Sequence, residues 1–164
     1  MKKLIYFSLI ATSLMASPIP KDNSFFVSAD AGQLKIRDYS TIAGVKFGYY
    51  FYDPNKFKIN NRIYVDVKKV DSSASFYISS LNIDWIKNTS VINPYIGVNI
   101  GYLYFKQNGI NNSSQIWGIN AGGIVYISKY LGIELLYKWQ KSIDKQEVWD
   151  RPLQTIEGSL EVSF

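Results

Sequence analysis

The chain is 164 residues long, carries a formal net charge of +5, and contains neither cysteine nor histidine. That excludes disulfides, thiolate metal sites, imidazole bases, Ser-His dyads and imidazole ligands. Thirteen Tyr, nine Phe and four Trp stand beside a near-neutral mean hydropathy, a balance that a soluble single-domain core of this length does not call for.

Residues 1–16 read as a secretory signal peptide: Lys2 and Lys3 form a basic start, Leu4 to Leu14 an apolar run, and Ala16 a small residue before the cut. The run is too short to span a bilayer as a helix. The expected mature chain is 17–164, and losing the two lysines takes the net charge from +5 to +3. With no basic run, that charge gives no reason to expect a nucleic-acid partner.

From Ser24 onward the apolar period is two. Phe25, Val27, Ala29 and Ala31 share a face, after which Leu34 and Ile36 read as a change of phase. Segment 41–52 sets Ala43, Val45, Phe47, Tyr49 and Phe51 against Gly44, Lys46, Gly48 and Tyr50. Segment 57–68 sets Ile59, Ile63, Val65 and Val67 against Lys58, Asn60, Arg62 and Asp66; 76–85 sets Tyr77, Leu81, Ile83 and Trp85 against Ser80, Asn82 and Asp84. The pattern recurs over 94–105, 116–127 and 131–140. It ends with 154–164, where Gly158, Leu160, Val162 and Phe164 alternate with Glu157, Ser159, Glu161 and Ser163. Eight strands are predicted, with no amphipathic helix. Connections at 53–56, 87–93 and 128–132 read as short turns on the side of the termini. Those at 69–74, 106–115 and 141–154 read as longer polar loops on the other, with 37–40 the short exception.

Eight strands in 17–164 fit a barrel, and residue size decides which face is inside. An eight-stranded barrel is too narrow to hold several large side chains from every strand. The bulky set must therefore face outward, leaving the Gly, Ser, Asn and charged set for the lumen. That is the inverse of a soluble barrel and requires lipid as the outer solvent. The fold expected is all-β: an eight-stranded antiparallel up-and-down transmembrane β-barrel with a polar, charged lumen. Phe25, Tyr49, Phe51, Trp85, Trp117, Tyr137 and Trp139 then read as the aromatic girdle of the two bilayer interfaces.

"NPYIGVNIGYLYF" (93–105) and "GGIVYISKYLGIELLYKW" (122–139) resemble strands and a hairpin of small bacterial outer-membrane β-barrels of the OmpA and OmpX type. The resemblance is one of pattern and implies architecture rather than activity. It implies outer-membrane lipid and the barrel-assembly machinery of a Gram-negative bacterium as partners. Leu160, Val162 and Phe164 then stand as the assembly signal, although Gly158 lies one place early and Val162 replaces a common aromatic.

Ten charged residues are assigned to the lumen: Asp30, Lys46, Lys58, Arg62, Asp66, Asp84, Glu134, Lys138, Glu157 and Glu161. Buried charges must be paired or hydrated. Two readings follow: a salt-bridge network that plugs the barrel, or a narrow gated ion pathway in which Lys46, Arg62 and Glu134 exchange partners. No catalytic, metal or cofactor site is assigned. Outer-membrane barrels that cleave lipid or peptide bonds resemble one another in using a histidine, so no enzyme is expected. Val148 and Trp149, in loop 141–154, are candidate contact residues for an extracellular ligand, with loop 106–115 beside them. The role expected is structural or surface interaction (adhesion, host contact).

Overall fold

The computed structural model describes residues 23–36, 39–51, 59–71, 75–89, 91–107, 110–143 and 151–164. Eight strands run in chain order: β1 (Ser24–Lys35), β2 (Tyr39–Phe51), β3 (Ile59–Asp71), β4 (Ser75–Lys87), β5 (Asn93–Gln107), β6 (Ile110–Tyr126), β7 (Leu131–Ser142) and β8 (Leu153–Ser163). Each pairs antiparallel with its sequence neighbours, and β8 pairs with β1 to close the barrel. Among the described residues no helix is long and apolar enough to cross a membrane.

The register fixes the shape. Ser24 pairs with Tyr50, then Arg62, Asp84, Gly97, Asn120, Lys138 and Thr155 follow strand by strand, and Thr155 pairs with Leu34. One circuit therefore advances ten residues along β1 (34 − 24), which for eight strands corresponds to a tilt of about 40°.

Alternation then sorts the side chains. Val45, Val65, Leu81, Val98, Ile119, Leu135 and Leu160 face outward, while Lys46, Arg62, Asp66, Asp84, Asn99, Asn120, Glu134 and Glu161 on the same strands are buried within. Among the described residues no second layer covers this outer belt, so its apolar side chains require a bilayer around them.

Two sequence expectations change. First, β1 does not switch phase. It keeps its alternation to Lys35, and Leu34 turns into the lumen with only 1% of its surface exposed. The apparent slip arose because an inward Leu followed a run of inward small or polar residues. Second, the distal connections, on the side away from the termini, are mostly short. Strand bounds leave only 36–38, 72–74 and 108–109 between strands there, with 143–152 as the long exception. Residues 110–115, expected as loop, belong to β6, which pairs with β5 out to Gln107↔Ile110. The polar run INNSS is strand because β5 supplies its hydrogen bonds, not because its own side chains favour extension.

Candidate functional site

The lumen holds three layers. At the distal end Leu34, Ile42, Val70, Phe76, Ile78, Leu103, Ile116 and Leu153 form one buried apolar cluster, supplied by seven of the eight strands. At the terminal end Phe26, Tyr50, Tyr64, Ile86, Tyr95, Ile124, Tyr126 and Leu136 form a second, aromatic one. The charged residues are packed between and against these layers. A lumen of small and charged groups throughout is thus corrected: that description fits the middle of the barrel and not its ends.

Arg62, on β3, is the most connected group. Its guanidinium donates to Asp84 at 2.6 Å and Glu134 at 2.6 Å, and reaches Glu161 at 3.3 Å. Four aromatic rings surround it, with Tyr64 and Tyr95 nearest at 4.7 and 4.8 Å from their centroids. A planar cation with five donors suits both jobs at once, carboxylate forks in the plane and rings above and below it. Lys46, on β2, shares Glu134 at 2.6 Å, donates to Ser159 at 2.9 Å and lies 3.3 Å from Asp30.

A second group sits nearer the distal layer. Lys138 donates to Asp66 at 2.6 Å and to Asn82 at 2.7 Å. Lys68 lies 2.9 Å from the same carboxylate and contacts both Glu157 oxygens at 2.5 and 2.6 Å. The Tyr64 ring bridges the two groups, with Lys46 and Lys138 both within 6 Å of its centroid, at 5.8 and 5.5 Å. An amide relay adds to this: Gln140 donates to Asn99, Asn99 to Asn120, and Asn120 to Asp84.

Among the described residues the lumen buries six carboxylates and four cations. Neutral donors compensate for the difference. Tyr50 donates to Glu161 at 2.7 Å, Thr155 to Glu157 at 2.9 Å, Ser28 to Asp30 at 3.0 Å, and Ser80 to Asp66. Hydrogen bonds to the charged form are what allow a carboxylate to stay buried and ionised. No group of three or more potential metal ligands has metal-site geometry among the described residues.

Nine of the ten charged residues assigned from sequence lie buried in this network; Lys58 lies outside the described residues. Lys68 was missed, although continuing the alternation Arg62, Tyr64, Asp66 by one step identifies it. The four lumen tyrosines were also missed as a set, since tyrosine reads as interfacial by default. Phe25, Phe51, Trp85, Trp117 and Tyr137 are exposed on the outer face, with Tyr49 and Trp139 part-covered. Phe25 packs on Tyr49, and Trp117 meets Trp139 edge-on at 5.8 Å. Leu160, Val162 and Phe164 face outward. Val148 and Trp149 lie outside the described residues.

No protein-family model matches the chain, and no curated protein sequence matches it. Solved structures do. The N-terminal β-barrel domain of Pseudomonas aeruginosa OprF superimposes with a TM-score of 0.66 at 12% identity, over 87% of this chain and 100% of that one. Neisserial surface protein A gives 0.61 at 13% identity, over 87% and 97%. Ail, the attachment invasion locus protein of Yersinia pestis, gives 0.56 at 15% identity, over 87% and 97%. The outer-membrane enzyme PagL also superimposes, with a TM-score of 0.56 at 11% identity over 84% and 98%. PagL overturns the expectation that this chain is no enzyme: an outer-membrane enzyme has the same fold, so the fold does not exclude catalysis here. With its closed eight-stranded antiparallel ring, buried charges and apolar exterior, the chain has the fold of the small outer-membrane β-barrels.

Proposed function

We propose that this chain is an outer-membrane protein of a Gram-negative bacterium, directed there by residues 1–16, whose barrel is a sealed anchor for a structural or surface-interaction role. The observation that carries this reading is the layered lumen, in which a paired charge network lies between two apolar clusters. Apolar constrictions stop ions because water leaves them, and a network in which every buried cation already holds a carboxylate gives a passing ion little to exchange with. The terminal end faces the periplasm in this reading and the distal end faces outward, where the β5–β6 hairpin and segment 141–154 are available to an extracellular ligand.

The names of two structural neighbours, a surface protein and an attachment invasion locus protein, agree with an adhesive role. Their low identity carries the shape alone. Outer-membrane lipid and the barrel-assembly machinery are the other partners of this reading, the latter through Leu160, Val162 and Phe164.

Two measurements test it. Reconstituted in a planar bilayer, the barrel is expected to give no steady ionic current; a stable current would overturn the seal and restore the gated pathway. Cells displaying the protein should bind host surfaces, and replacing 141–154 by a short glycine-serine turn should abolish that binding. Unchanged binding would remove the loop from the proposal.

A further inference from the structure

The outer face carries one groove that the sealed-anchor reading does not use. It has a volume of about 390 Å³ and is lined by Ile59, Trp85, Lys87, Pro94, Tyr95 and Ile96. It lies at the terminal end of β3, β4 and β5, where Ile59 pairs with Lys87 and Trp85 pairs with Ile96. The hollow has a local cause. Tyr95 turns its ring into the lumen, and Pro94 offers neither an N–H nor a long side chain, so among the described residues no side chain fills the space beside the Trp85 indole. The volume falls in the range of small-molecule sites rather than of a gap between packed side chains.

Its lining is apolar apart from Lys87, which is exposed and has no ion-pair partner among the described residues. A lone ammonium at the edge of an apolar groove, at the level of the interfacial aromatics, selects an amphiphile with an anionic head. A second copy of the chain is a poor match. Among the described residues the only outward strand carboxylate is Asp71, at the opposite end of the barrel.

We propose that this groove is a binding site for one anionic phospholipid of the leaflet at the terminal end. One acyl chain lies along Trp85, Ile59 and Ile96, and the headgroup phosphate meets Lys87. The proposal rests on the membrane reading above, so its test must separate the two.

Trp85 is the built-in reporter. A variant with Trp117→Phe, Trp139→Phe and Trp149→Phe leaves it as the only indole, and the barrel is then inserted into phosphatidylcholine vesicles. Brominated phosphatidylglycerol is expected to quench Trp85 about fivefold more than brominated phosphatidylcholine at equal mole fraction. Lys87→Gln should bring the ratio to one, and Lys87→Arg should keep it. Equal quenching in the parent would show an unselective lipid annulus and overturn the site. Shielding from both lipids in an inserted barrel would put a second copy over the groove and overturn it equally. Failure of the parent chain to insert, read as loss of heat-modifiable migration, would instead overturn the membrane reading. Should the triple variant not fold, native mass spectrometry of the parent chain and Lys87→Gln in mixed lipid gives the same answer. Equal retention of phosphatidylglycerol by both would sink the proposal.

Discussion

Arg62 and Glu134 meet at 2.6 Å across the lumen, although β3 and β7 are not neighbours in the ring. The contact spans 72 positions of sequence and forms only when the barrel is closed or nearly so. Because Glu134 also holds Lys46, it ties together three strands that share no hydrogen-bonded ladder beyond adjacent pairs.

Removing the cation is therefore expected to be expensive. Arg62→Ala leaves Asp84, Glu134 and Glu161 buried with one partner fewer each, and the loss should be about 3–5 kcal/mol. Urea unfolding in detergent micelles or vesicles measures it. Arg62→Lys should recover only part, since one ammonium does not reproduce the fork. A full recovery would show that charge alone matters.

Lys68 and Glu157 form a near-symmetric pair, with both carboxylate oxygens within 2.6 Å of one nitrogen. A double-mutant cycle with Lys68→Met and Glu157→Leu should give a coupling of about 2 kcal/mol. Additive single losses would mean that Asp66 and Thr155 already satisfy the two groups.

Gly97 faces the network with no room for a methyl group. A Cβ there would collide with Asp84 Oδ1 and lie 2.5 Å from the Ile83 carbonyl oxygen. Gly97→Ala should cost about 1–3 kcal/mol through displaced backbone and a weakened Arg62–Asp84 pair. Equilibrium unfolding combined with Arg62→Ala checks the mechanism: the two losses should not add.

Depth sets the penalty on the outer face. Val98 lies mid-strand in the apolar belt, whereas Gln154 lies next to the distal start of β8. Val98→Arg should cost about 2–4 kcal/mol and Gln154→Arg no more than about 1 kcal/mol. Similar costs at both sites, measured by reversible unfolding from vesicles, would contradict a bilayer centred on Val98.

Deleting Phe164 should slow insertion into vesicles more than it lowers the stability of the inserted barrel. Its backbone exchanges hydrogen bonds with Phe25 at 2.9 and 3.1 Å, and its ring packs beside Phe25. Insertion at the parent rate would remove Phe164 from the assembly signal.

Strand number, direction and facing were legible because lipid outside and charge inside give opposite demands to alternate residues. Phe47 and Lys46 could not exchange faces in any register. The apolar ends of the lumen were hidden for the same reason. There an inward Ile42 or Ile116 sits beside outward Ala43 or Trp117, so the alternation blurs into doublets. Leu34 reads as a slip for a different reason: it is an apolar inward residue that follows inward Ser28, Asp30 and Gly32. The reach of β6 was also hidden, since Asn111 to Ser114 take their extended form from pairing with β5 rather than from any preference of their own. Glu134 could be placed in the lumen from sequence, but not beside Arg62. That meeting depends on the ten-residue advance around the ring, which no single strand records.

The same advance makes the closing seam between Phe25 and Phe164 a matter of timing. Until β8 docks, both outermost strands present bare amide edges, and hydrocarbon offers those edges nothing. A partly built sheet is thus tolerated in water and penalised in lipid. Assembly must either finish before the sheet enters the bilayer or be escorted through it, with the two strands farthest apart in sequence meeting last.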